Sequence, residues 1–159
     1  METEVLPDPI MIFVDADACP VKDEVYRVAE RYTVPVRLIA NAYLRPPMSP
    51  LVECVVVSTS FDAADDWIAE RASASIIVIT ADILLADRCL KAGAHVLGHN
   101  GRPFDRASIG NAVAQRALMQ DLRAMGEVSG GPPPFAKTDR SRFLSALDEA
   151  VNRLRRQAA

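Results

Sequence analysis

Cysteine is scarce in this chain. Its 159 residues include three, Cys19, Cys54 and Cys89, widely spaced and with no C-x-x-C pair. An odd number at wide spacing argues against a disulfide framework and against a zinc knuckle, and a reducing, cytoplasmic setting is expected. Histidine is scarcer still. His95 and His99 both fall outside any predicted helix, so their spacing does not make a metal pair. No apolar run approaches the roughly 20 residues of a membrane span, so no membrane partner is expected. The acidic, proline-broken opening METEVLPDP lacks the charged-then-apolar layout of a secretion signal. There are no internal repeats, and the triple proline at 132–134 is the only biased stretch.

Charge is present but unevenly placed. The net value of −3 points to no particular partner. Residues 1–90 hold 15 acidic and 7 basic side chains, whereas residues 91–159 hold 6 acidic and 11 basic. An acidic half beside a basic half suits a metal site next to an anion-binding surface, although two solvated faces would give the same count.

Apolar runs alternate with amphipathic segments. Ile10–Val14, Val36–Ala40, Val52–Val57, Ile76–Thr80 and His95–Leu97 are short and rich in β-branched residues, which predicts strands. Val21–Tyr32, Ala63–Ala72, Ile83–Ala92, Ser108–Met125 and Thr138–Arg156 read as helices, and Gly93 and Gly126 are helix stops. Residues 41–50 carry three prolines and form a loop, and GGPPPF at 130–135 is a rigid linker before the last helix. Strands buried on both faces and alternating with helices predict an α/β fold. The expectation is one domain over residues 1–159, a three-layer α/β/α sandwich around a mainly parallel sheet of about five strands, with the helix at 138–156 docked on it.

Ligands of such sheets bind beyond the carboxyl ends of the strands. Asp15 and Asp17 follow the first strand and Asn41 the second. Ser58, Thr59 and Asp62 follow the third, with Asp65 and Asp66 one turn on. Thr80 and Asp82 follow the fourth, with Asp87 further along, and His99 and Asn100 follow the fifth. Taken singly, each aspartate is a helix cap or a solvated loop residue. Taken together, Asp15, Asp17, Asp65 and Asp82 would repel unless a hard divalent cation lay among them, and Mg²⁺ or Mn²⁺ suits such oxygen ligands. Such a site hydrolyses a phosphodiester without a protein nucleophile.

Other residues are read against plainer roles. Cys19 precedes a helix, where a thiol can be activated, but CPVKDEV lacks the donor loop and arginine of a cysteine phosphatase, so Cys19 is read as a packing residue. Lys22 stands in a first helical turn, against the helix dipole, and is a candidate phosphate contact as well as an ordinary surface lysine. The Thr80 hydroxyl can orient a water or a carboxylate. Trp67 is read as core or as a half-buried helix face. Lys137, Arg140 and Arg142 cluster after the prolines. Arg140 either meets a phosphate backbone or pairs with a carboxylate.

Four segments, VDADACPVK, SFDAADDWI, VITADILLA and GGPPPFAKTDRSRFLSALD, resemble in order the motifs of the YaiI/YqxD family of bacterial proteins, over nearly the whole chain. DADACP belongs to no common motif. That family, largely uncharacterised, is similar to the PIN-like domains, α/β/α folds whose nuclease members gather acidic residues around Mg²⁺ or Mn²⁺ to cut RNA. The resemblance implies RNA as partner. It places Asp15, Asp17, Asp62, Asp65 and Asp82 in the acidic, metal-holding cluster and Thr80 in a T-x-D element. The PIN-like pattern often adds an acidic residue after the fifth strand. Here the stretch is GHNGRPFD, with Asp105 distant and Asp87 in a different element.

The expected function is therefore a metal-dependent nuclease. Asp15, Asp17, Asp65 and Asp82 would be its catalytic residues, and Lys22, Asn41, Ser58, Thr80 and Arg140 its substrate contacts. Two alternatives stand beside it. One is a phosphatase resembling the haloacid-dehalogenase-like group, with Asp15 as nucleophile and Asp17 as acid/base, although Cys19 stands where that group usually has a small hydroxyl or β-branched residue. The other is a domain that binds nucleic acid or protein without turnover.

Overall fold

The computed structural model describes residues 9–60, 62–111, 114–115 and 135–158. β1 (Met11–Asp15) lies mid-sheet because its side chains are apolar on both faces. It pairs in parallel with β2 (Val36–Ala40) on one side and β4 (Ile76–Ile79) on the other. β3 (Val52–Val56) extends the sheet beyond β2, and β5 (His95–Leu97) beyond β4, both in parallel. A sixth strand, β6 (Pro103–Phe104), pairs antiparallel with β5, giving the order β3-β2-β1-β4-β5-β6. The sheet is thus one strand larger than the expected five. Two residues, one of them proline, carry no periodic signal from which β6 could be read.

Helices cover both faces. Ile12, Val14, Leu38 and Ile79 pack with Val25 and Val28 of α1 (Lys22–Tyr32) and with Phe143, Leu147 and Val151 of α4 (Lys137–Ala158). Phe13, Ile39 and Val78 pack with Ile68 of α2 (Ala63–Arg71) and Leu85 and Ala86 of α3 (Ile83–Lys91). Trp67 joins this second face, its ring edge-on to Phe13 at 5.1 Å and under the Arg71 guanidinium at 4.3 Å. The three-layer sandwich follows directly from alternate strand side chains pointing to opposite faces.

Docking of α4 is extensive. Phe143, Leu147, Val151 and Leu154 lie one turn apart and are fully buried. Burial of side chains of this size contributes roughly 1.5–3 kcal/mol each. Asp148 adds polar anchors, accepting from Arg31 at 2.6 Å and from the Tyr32 hydroxyl at 2.9 Å. Of the helix expected over Ser108–Met125, residues 106–111 and 114–115 are helical, starting two residues early because Asp105 Oδ1 accepts the Ser108 N–H. Its remainder and residues 130–134 of the expected linker lie outside the described residues. Among the described residues, no helix is long and apolar enough to cross a membrane.

From β1 the chain builds outward through β2 and β3 on one side, and from β4 through β5 and β6 on the other. The carboxyl ends of β1 and β4 therefore flank the point where strand order reverses, the usual ligand crevice of open parallel sheets.

Candidate active site at the strand switch point

The register Val14↔Ile79 sets Asp15 level with Thr80 at that crevice. Thr80 is fully buried. Its hydroxyl donates to Asp15 Oδ2 at 2.9 Å and accepts the Asp82 N–H at 3.0 Å. Of the two roles read for this hydroxyl, the structure gives it the orienting of a carboxylate. Asp82 is the N-cap of α3, and its Oδ1 accepts the N–H groups of Leu84 and Leu85 at 2.9 and 3.2 Å. Capping oxygens are favoured here because the first helical amides lack partners within the helix.

The acidic residues are electrostatic neighbours. Burial pushes the Asp15 carboxyl above its ordinary range, and the charges of Asp82 and Asp17 add to the rise while the Thr80 hydrogen bond opposes it. Asp65, in the first turn of α2, is pushed up to about 6 by burial and then by the charges of Asp82, Asp15 and Asp62, with Arg88 opposing. Asp62 precedes α2 without making a side-chain cap hydrogen bond. Asp17 is exposed in the 3₁₀ turn Ala16–Ala18, and both its oxygens accept the Asn41 N–H, at 3.1 and 3.3 Å. Asn41 thus contributes its backbone to fixing Asp17. Asp66 and Asp87, the weaker candidates, are paired with Arg88 at 2.9 Å and Lys91 at 3.0 Å.

Three expected substrate contacts, Lys22, Arg140 and Ser58, have partners within the protein. The Lys22 amine folds back to donate to Ala16 O at 3.1 Å, where it satisfies a carbonyl of the 3₁₀ turn. Arg140 donates to Pro20 O, lies 3.6 Å from Glu24 and stacks over Phe135 at 5.0 Å, so it ties the start of α4 to the start of α1. Ser58, exposed beyond the edge strand β3, is 2.7 Å from the Ser60 hydroxyl. Cys19 is buried, and burial pushes its thiol up to about 11, as a packing residue requires. His99 lies beyond β5, and its Nε2 is buried without a hydrogen-bond partner among the described residues. The strand-exit rule that found the aspartates also reaches His99, but its burial has no sequence signal.

Among the described residues, no three Asp, Glu, His or Cys side chains stand in an arrangement that would hold a metal ion. The donor chemistry nevertheless fits a hard divalent cation. The groups are carboxylate oxygens, and Asp15 and Asp65 carry a like-charge burden that such an ion would relieve.

Comparison with known proteins agrees with these motifs. The model of the "Uncharacterized BCR, YaiI/YqxD family" matches residues 13–153. A UPF0178 protein of Sphingopyxis alaskensis is 65% identical over 150 residues, 94% of this chain and 97% of the relative. A UPF0178 protein of Nitrobacter winogradskyi is 59% identical over 150 residues, 94% and 96% of the two chains. One of Rhodopseudomonas palustris (strain BisB5) is 56% identical over 153 residues, 96% and 93% of the two. No solved structure matches. With its DADACP turn, its T-x-D strand exit and most of its last helix inside the matched span, the chain belongs to the YaiI/YqxD family.

Proposed function

We propose that this protein is a divalent-metal-dependent nuclease that hydrolyses phosphodiesters, with RNA as its substrate. The observation that carries this reading is the pair Asp15 and Asp65. They come from separate elements at the strand switch point, and each is pushed toward its neutral form by burial and by shared repulsion with Asp82. Carboxylates gathered at such cost to their ionised forms are a signature of functional sites. The similarity of the motifs to PIN-like nucleases supports the same reading.

Asp15 and Asp82 would ligate the cation, with Asp17, Asp62 and Asp65 completing its shell or holding its waters. Bound there, Mg²⁺ or Mn²⁺ supplies Lewis-acid polarisation of a phosphoryl oxygen and a water acidic enough to attack at neutral pH. The chain's own residues fix the donors. Thr80 orients the Asp15 carboxylate, the α3 amides hold Asp82, and the Asn41 N–H holds Asp17. Asp65 takes up a proton near pH 6 without metal, so it must release that proton to act as a ligand.

The test is cleavage of a labelled single-stranded RNA with Mn²⁺ or Mg²⁺ by the wild type and by Asp15→Asn and Asp82→Asn, with p-nitrophenyl phosphate as a parallel substrate. Cleavage lost in both variants, with folding retained, is expected. A folded, Mn²⁺-binding wild type that leaves RNA intact would overturn the proposal. Turnover of the phosphomonoester alone would then make Asp15 a phosphatase nucleophile, and no turnover at all would leave a binding domain.

A further inference from the structure

Beside the carboxylates lies a cavity of about 630 Å³, within the range of small-ligand sites. Ala81, the residue between Thr80 and Asp82, forms part of one wall. The others come from His99 and Asn100 after β5, Phe104 of β6, and Phe135 and Asp139 at the start of α4.

We propose that this cavity receives one unstacked base of a single-stranded nucleic acid whose phosphate lies at the neighbouring carboxylate edge. The inference deepens the nuclease reading and takes from it the identity of the phosphate.

Two features favour a base. First, the described lining is unsuited to the phosphate itself. The described lining contains no Lys or Arg and does contain Asp139, so a bound anion would lack a counter-charge and meet a carboxylate. Second, the walls carry two phenylalanines. Phe104 is half-buried, and Phe135 remains 37% exposed with the Arg140 guanidinium 5.0 Å from its ring centre. Aromatic faces of this kind stack flat heterocycles whatever their sequence. His99 forms part of the wall, with its Nε2 shut away from water and so turned away from the cavity. Asn100 Oδ1 is engaged with the Arg102 N–H, which fixes that rim beside His99.

Position completes the argument. Since Ala81 is flanked by the hydroxyl that holds Asp15 and by the cap of α3, a base in the cavity leaves its own phosphate at the acidic edge. A base inside a duplex cannot enter such a recess without leaving its stack, so the site selects single strands.

The test is binding of the nucleosides adenosine, guanosine, cytidine and uridine in EDTA, where no phosphate meets the bare carboxylates, followed by NMR chemical shifts and calorimetry, with inorganic phosphate as competitor. Phe135→Ala changes an exposed side chain and is expected to weaken nucleoside binding roughly five- to a hundredfold. Phe135→Trp should retain binding. Tyr43→Ala alters an exposed aromatic outside the cavity and should not change it. Failure of all four nucleosides to bind at millimolar concentration would overturn the inference. So would equal binding in wild type and Phe135→Ala, or full competition by phosphate. Phe135-dependent binding by a protein that cuts no RNA would remove the nuclease reading and leave this one standing. RNA cleavage unchanged in Phe135→Ala would do the reverse.

Discussion

Thr80 holds Asp15 across two neighbouring strands: its buried hydroxyl donates to Oδ2 at 2.9 Å while accepting the Asp82 amide at 3.0 Å. One side chain therefore positions two of the acidic residues at the crevice. Replacement by valine keeps the shape but leaves a carboxylate oxygen and an amide without that partner. Thr80→Val should destabilise by about 1–3 kcal/mol in urea denaturation, with Thr80→Ser much closer to wild type. The Asp15 carboxyl, freed of a bond that favours its charge, should titrate still higher in Thr80→Val, as NMR would read.

Asp82 has two separable duties, a charge at the crevice and a cap on α3. Asp82→Ala removes both and should lose about 1 kcal/mol of stability. Asp82→Asn keeps a capping oxygen and removes the charge, so its stability should stay near wild type while Mn²⁺ affinity falls. Paired thermal melts and Mn²⁺ titrations separate the two effects.

Asp65 gives stability a pH dependence of definite sign. Its carboxyl titrates at about 6 in the native protein against an ordinary value of 3.8, so the folded state binds the proton more tightly than the unfolded chain. Its contribution falls as pH rises from about 4 to about 6 and stays at its lowest above that. Wild type should therefore gain stability relative to Asp65→Asn on acidification from pH 7 to pH 5. At pH 7 the variant should be the more stable, by up to about 1 kcal/mol once solvent screening is allowed for. Mn²⁺ affinity of the wild type should weaken below about pH 6, where proton and cation compete.

Gly101 occupies a left-handed conformation with φ of 83° in the turn between β5 and β6. A Cβ there would stand 2.6 Å from Arg142 O and 2.9 Å from Phe143 N, both backbone atoms of α4. Gly101→Ala combines strain with a clash that no side-chain rotation relieves, and should cost at least about 1–3 kcal/mol in thermal or urea unfolding.

The thiols should sort by environment. Cys19 and Cys89 are buried and pushed up to about 11, so the native protein should resist alkylation at both near pH 7.5. Cys19→Ala should leave RNA cleavage unchanged. Mass spectrometry after iodoacetamide treatment checks the first outcome, and the RNA assay the second.

Much of this architecture was legible because its signals are local. Ile76–Ile79 is apolar on both faces and Phe143, Leu147, Val151 and Leu154 recur at helical spacing, so element type and core face follow from period alone. The strand-exit rule likewise puts Asp15 and Asp82 at one edge of the sheet. What escaped depends on distance in space. Nothing local says that Lys22 folds back on Ala16 or that Arg140 reaches Pro20 and Glu24 from 120 and 116 positions away. The two-residue β6 is too short to show a period, and its existence depends on the turn at Gly101. The burial of His99 Nε2 likewise has no local signal.

Because α4 supplies four fully buried side chains to the core that β1 and α1 also form, part of one face of the sheet depends on residues 143–154 for its cover. The contacts that close it, such as Arg31 with Asp148, span 117 positions. Contacts of such sequence separation slow folding relative to a fold built from local pairs. A chain cut short before residue 143 would leave the part of this face that α1 does not cover as exposed apolar surface, prone to self-association.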